Sequence, residues 1–282
     1  MNLKNKKSCK NNLLINIKSK FILKQIIGNI NEIKFLKIIN YNKIFQKQLN
    51  IDINTYKKNF QIEIEIIPNI YGERNKFITF PENKEKYFHI YFNNNKEEIK
   101  RDYFTVDDKV NKIKILIDSD IKSFKKLFSY GIGIKKLNVI RFNRKDIVDM
   151  SYMFYMCNSL EELNLKKINT DNVTNIEGMF SFCNKLRELN IEYFNTKNVT
   201  NMRKMFEECY RLEKLNIKYL NTKNVTDVSK MFYQCSSLKE LNLNRFDIKF
   251  NTQMDGLLCN CSNFLKIKIK KLNKNIRSNA FS

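Results

Sequence analysis

The sequence has no tryptophan, only two prolines and six glycines, and a single histidine in 282 residues. Because glycine and proline are so scarce, Asn, Asp, Ser and Thr must form most of the turns. Lys or Asn interrupts every apolar run, so none approaches the roughly 20 apolar residues of a membrane span. We therefore predict no transmembrane helix. The N-terminal apolar run LLINI is too short for a secretory signal, which favours a cytoplasmic location.

The scarcity of histidine also limits the chemistry that the chain can perform. His89 has no second histidine to work with, and neither a Cys-His nor a Ser-His-Asp arrangement can be traced. The sequence contains no glycine-rich phosphate-binding loop. Cys259 and Cys261 form a C-x-C pair, but no second pair has zinc-site spacing. We predict a protein that is not an enzyme and that has no catalytic residue, cofactor or metal.

The net charge of +23 is unevenly distributed along the chain. Residues 1–60 contain 13 lysines against Glu32 and Asp52. Lys, Asn and Ile are abundant together, as codon bias in an AT-rich genome would produce. The other explanation is a surface selected to bind a polyanion. Nucleic-acid binding is therefore possible but disfavoured.

The most informative feature is an internal repeat with a step of 26 residues. The step is clearest in five cysteines: Cys157, Cys183, Cys209, Cys235 and Cys261. The unit can be written V-T-N-M-x-x-M-F-x-x-C-x-x-L-x-x-L-N-[LI]-x-x-F-N-T-x-N. Four clear copies begin at Ile147, Val173, Val199 and Val225. Degenerate copies begin near Ile121 and Asn251, which gives about six units.

Two hydrophobic periods follow one another within each unit. One set has the spacing of a helical face: Val199, Met202, Met205, Phe206 and Cys209. Leu215 and Ile217 then alternate with polar residues, as in a short strand. A single unit is too small to bury its own core, so neighbouring units must pack together. We predict an α/β solenoid, right-handed, of about six helix-strand units.

The repeated segment NVTNMxxMFxxCxxLxxLNLxxFNT resembles the 26-residue repeat of BspA-type leucine-rich-repeat surface proteins. The resemblance covers about residues 121–270 and is close in both spacing and residue type. It implies a leucine-rich-repeat fold and a non-catalytic role in adhesion or protein–protein interaction. It also implies a location at the cell surface or outside the cell.

The rest of the chain divides into three further regions. We predict a basic helical arm at 1–60, a β-rich capping region at 61–118, the repeats at 119–270 and a basic tail at 271–282. The spacing from ILKQII to FLKII in the arm resembles an F-box hairpin. This second resemblance implies an intracellular adaptor whose arm recruits a ubiquitin ligase and whose repeats hold a client. The alternative is that the segment is only a basic helical cap or a dispensable N-terminal arm.

The candidate binding site is the polar face of the predicted strands. In a strand, the residue between two core residues points away from the core. Columns of Asn, Lys and Glu occupy such positions at the 26-residue step. The candidate partner-binding residues are Lys136, Asn138, Glu162, Asn164, Lys166, Glu188, Asn190, Glu192, Lys214, Asn216, Lys218, Glu240, Asn242 and Asn244. We expect a monomer that binds a protein partner through this face.

Overall fold

The computed structural model describes residues 43, 46, 47, 60–217, 219–241, 246, 247, 249, 251–262, 265 and 276–281. The chain divides into two compact units, Met1–Gln61 and Ile62–Ser282. The predicted helical arm at 1–60 therefore lies almost entirely outside the described residues, as does half of the predicted tail at 271–282. The division into four regions stays a prediction.

The described part of the second unit is built from short strands. They are β1 (Ile62–Pro68), β2 (Asn75–Lys76), β3 (Phe88–Phe92), β4 (Tyr103–Phe104), β5 (Ile113–Ile117), β6 (Ile134–Arg141), β7 (Glu162–Asn164), β8 (Glu188–Asn190) and β9 (Lys214–Asn216). Two 3₁₀ helices, Glu85–Tyr87 and Ser278–Ala280, accompany them.

The largest sheet has the strand order β3-β5-β1-β6-β7. β1 is antiparallel to both of its neighbours, β5 and β6, whereas β6 and β7 are parallel. Strand β1 has the sequence IEIEIIP, and its first three isoleucines are buried while Glu63 and Glu65 lie on the opposite side. This alternation is the period-two pattern of a strand with one face in the core. The sheet therefore runs without a break from residues 62–117 into the repeats.

The predicted α/β solenoid of helix-strand units is wrong. From residue 62 to residue 262, the described residues contain no α-helix; they form small mixed sheets joined by turns. In the predicted helix of one unit, Met153 N donates to Met150 O at 3.3 Å, as in a turn. The following backbone N–H, that of Phe154, instead donates to Met179 O in the next unit at 2.9 Å. In this segment, only about half of the backbone N–H groups donate to a carbonyl of the same unit. In an α-helix nearly all of them would do so.

The backbone conformation also excludes a helix. Two positions in each unit have positive φ. The first recurs at Lys126, Tyr152, Gly178, Lys204, Lys230 and Gly256, and the second at Tyr130, Met156, Phe182, Glu208, Gln234 and Asn260. A right-handed α-helix cannot contain such residues. Parallel bridges between residues 26 apart join successive units at Ser123, Asp149, Asn175, Asn201, Asp227 and Gln253.

The core of the repeats contains two regular columns of side chains. Five buried phenylalanine rings stack with nearly parallel planes at centroid distances of 5.5–5.8 Å: Phe128, Phe154, Phe180, Phe206 and Phe232. Five buried thiols form the second column, and each donates a hydrogen bond to the carbonyl of a phenylalanine in the preceding unit. Dispersion and burial at these contacts hold neighbouring units together.

The cysteine column leads to a testable prediction. Burial raises the pKa of Cys157 and of Cys209 to about 12, from an ordinary value of 9.0. The unfolded chain therefore loses these protons at lower pH than the folded chain. Their contribution to stability is complete below about pH 9 and is lost as the pH rises towards 12. We expect the urea midpoint to fall steadily with rising pH across this interval.

The same burial should protect the five column thiols from a thiol reagent at pH 8. Among the described cysteines, the partly exposed Cys259 should react first, and the five should react only after unfolding in urea. Rapid modification of Cys183 in the native protein, followed by peptide mass spectrometry, would contradict the buried column.

Candidate functional site

The candidate site is the outer face, which we define as the solvent side of β1 and β6–β9. The repeat strands place their polar residues in register across this face. Lys136 pairs with Glu162 and Asn138 with Asn164 between β6 and β7. In the same way, Glu188 pairs with Lys214 and Asn190 with Asn216 between β8 and β9. The structure thus brings eight of the predicted residues to one side of two parallel strand pairs.

Ion pairs cross this face between neighbouring strands. Lys136 Nζ lies 2.6 Å from Glu162 Oε1, and Lys214 Nζ donates to Glu188 Oε1. The hydrogen bond to Glu188 raises the pKa of Lys214. Because these side chains are exposed and water screens their charges, the pairs contribute little to the stability of the fold. Their main effect is to fix the side chains in a defined charge pattern.

The asparagines of the face are partly used by the backbone. Asn164 Oδ1 accepts a bond from Lys166 N at 3.1 Å, and Asn190 Oδ1 accepts one from Glu192 N at 3.0 Å. These are Asx turns, which end each strand after three residues. Asn190 Nδ2 donates to Glu192 Oε1 at 3.1 Å. The amide groups therefore set the turn and the position of the next charged side chain.

The remaining predicted residues are placed differently. Glu192 Oε2 accepts a bond from Asn216 Nδ2 at 3.0 Å, which links two units. Lys166 Nζ lies 5.7 Å from the ring centroid of Tyr193, beyond the end of β7. Glu240 is exposed and follows the last described strand, beside a second hollow of about 660 Å³. Three predicted residues lie outside the described residues: Lys218, Asn242 and Asn244.

A groove with a volume of about 980 Å³ crosses the outer face from β1 to β8. Its lining includes five charged residues that the repeat columns did not single out, namely Glu65, Glu161, Lys185, Arg187 and Arg211. Glu65 enters the site because it lies opposite Asn138 in the pairing of β1 with β6. The alternation in IEIEI shows that Glu65 faces away from the core, but only the structure reveals which strand lies beside it.

Other functional groups lie elsewhere. His89 Nδ1 lies 3.0 Å from Glu98 Oε1, and its Nε2 lies 3.2 Å from Asp118 Oδ2. Across the described residues, no group of three or more His, Cys, Asp or Glu side chains is placed to hold a metal ion. The part of the chain with described structure also contains no helix with the length and apolar character of a membrane span.

Comparison with known protein families gives a match over the repeats. The family described as "Mycoplasma protein of unknown function, DUF285" matches residues 122–239 and again residues 148–272. Together the two matches cover more than half of the chain and coincide with the repeats. The chain belongs to this family. The DUF285 region includes the strands β6–β9 that carry most of the outer face. No curated protein and no solved structure matches the chain.

Proposed function

We propose that the outer face binds a protein partner and that the protein acts as a non-catalytic interaction module. The observation that carries the proposal is the 980 Å³ groove, which lies directly over the paired polar strands. One side of β1 is buried in the core, whereas the other presents the partly exposed carboxylates of Glu63 and Glu65. Fixed charges of both signs suit recognition of a partner with a complementary pattern.

We further propose that the chain is a BspA-type leucine-rich-repeat surface protein with an adhesive role. Two observations support this proposal: the DUF285 match and the motif that carries the resemblance. One strand every 26 residues repeats similar polar positions across the face, as shown by Asn190 opposite Asn216. Repeated contacts of this kind allow many weak interactions to add up over one extended partner.

A photo-crosslinking experiment tests where the partner binds. A photoreactive amino acid replaces Asn190 on the outer face in the full chain, expressed in its own cell. The matched control replaces Thr200, an exposed residue whose backbone lies among the turns rather than on the strands. We expect a discrete protein adduct from the Asn190 position and none from the Thr200 position. Equal adducts from both positions, or an adduct only from Thr200, would overturn the proposal.

A further inference from the structure

The carboxylates that line the groove are already neutralised. Four glutamates line the groove, and each forms an ion pair with a lysine: Glu65 with Lys112, Glu161 with Lys135, Glu162 with Lys136 and Glu188 with Lys214. A cationic partner would therefore have to displace an existing lysine before it could pair with the groove.

The cations that line the groove are not all neutralised. Lys136 pairs with Glu162, and Arg187 lies 3.6 Å from Glu213. Lys185 and Arg211 also line the groove, but neither forms a salt bridge with a carboxylate of the described residues. After internal pairing, the groove thus retains two positive charges and no free negative charge.

These two cations occupy the same position in neighbouring units, because they are 26 residues apart. Both residues lie in turns, three residues before the parallel strands β8 and β9, so their backbones are held about one strand spacing apart, roughly 4.8 Å. Two carboxylates of one extended segment can span this distance. Arg211 also provides a planar fork that can bind a carboxylate through two hydrogen bonds.

We propose that the groove binds an acidic, extended polypeptide segment, with Lys185 and Arg211 as its two carboxylate contacts. This inference rests on the proposed function, because it specifies the partner of the same face. A nucleic acid fits less well. Its phosphates carry an unbroken line of negative charge, of which only two could meet an unpaired cation of this groove. An acidic peptide can place two carboxylates at these cations and neutral residues along the rest of the groove.

The test uses the full chain and a fluorescein-labelled peptide of about ten residues in which Glu and Ser alternate. Binding is followed by fluorescence anisotropy at low salt. The double variant Lys185→Glu, Arg211→Glu should bind the peptide at least about tenfold more weakly than the unchanged protein. The matched control, Lys197→Glu with Lys223→Glu, makes the same charge change in the same two units at exposed positions outside the groove. The affinity of this control variant for the peptide should stay within about threefold of that of the unchanged protein. Unchanged urea midpoints would show that both variants are folded.

Three results would overturn the inference. They are equal losses in both double variants, no binding of the acidic peptide, and tighter binding of a lysine–serine peptide of the same length. A single-stranded oligo(dT) probe is included as well. If it bound more tightly than the acidic peptide and depended on Lys185 and Arg211, the partner would be a nucleic acid. The proposed function fails separately, through the crosslinking result at Asn190 and Thr200.

Discussion

Replacing Phe180 with alanine is expected to lower the free energy of unfolding by about 4 kcal/mol. The ring is fully buried and lies between two others, 5.8 Å from Phe154 and 5.5 Å from Phe206, with interplanar angles of 5° and 8°. Truncating a buried phenylalanine removes its transfer free energy and leaves a cavity, which typically costs about 3–5 kcal/mol. Because two stacking contacts are lost as well, we expect a loss above the lower end of that range.

The measurement is equilibrium unfolding in urea, with Phe182→Ala as the control. Phe182 lies in the same unit, but it is only half-buried and contacts Tyr155 edge-on at 5.6 Å. Its truncation should cost about 1 kcal/mol. Similar losses at the two positions would mean that the phenylalanine column does not hold the units together.

Replacing Gly178 with alanine is expected to cost about 3 kcal/mol. Two physical effects add at this position. The backbone has φ of +56°, where a side chain costs about 1 kcal/mol or more. In addition, a Cβ atom would lie 2.4 Å from Cε1 of Tyr152, which is far inside van der Waals contact. The ring or the turn must shift to relieve this overlap.

The equivalent position of another unit, Lys126, provides a control in which glycine replaces a side chain at positive φ. Lys126 is exposed and has φ of +59°, so Lys126→Gly should leave stability unchanged or raise it slightly. In a helix, the same change would cost about 1 kcal/mol. Thermal or urea unfolding of the two variants therefore distinguishes turns from a helix. A clear loss of stability in Lys126→Gly, or no loss in Gly178→Ala, would contradict the positive φ at these two positions.

A double-mutant cycle separates the two effects at Gly178. In a Tyr152→Ala background the overlap disappears, and Gly178→Ala should then cost only about 1 kcal/mol, from the backbone. Tyr152 Oη also donates to Glu177 Oε1 at 2.7 Å, so Tyr152→Ala has its own cost, which the cycle subtracts. If Gly178→Ala lowered the stability by the same amount in the Tyr152→Ala background, the whole effect would come from the backbone φ rather than from the overlap.

The sequence predicts the repeat step and many of the buried residues, but it misidentifies the local structure. Met150, Met153, Phe154 and Cys157 are all buried, at the spacing of a helical face. Consecutive turns place side chains towards a core at nearly the same spacing, so periodicity cannot separate the two. The distinction lies in the alternate backbone donors, which bond the next unit. One sequence signal for turns was the presence of Gly178 and Gly256 at equivalent positions, two of just six glycines.

The candidate site was predictable only in part, for a different reason. The polar columns on β7, β8 and β9 follow from the repeat, because each residue meets its own copy in the next unit. The groove also depends on β1, whose Glu65 meets Asn138 from a non-repetitive part of the chain. Nothing in a single sequence specifies such a distant pairing. The pairing state of Lys185 and Arg211 likewise depends on side-chain geometry.

The backbone bonds between units have a consequence for how such a chain can change in length. Met150 N bonds Asn175 O, and Met202 N bonds Asp227 O, two units further along, in the same way. Excision or duplication of a whole 26-residue segment therefore joins surfaces that already match. A loss of any other length shifts every later donor away from its acceptor. Genes for such proteins can thus lengthen or shorten the array of repeats one whole unit at a time. Proteins with intermediate lengths would misfold.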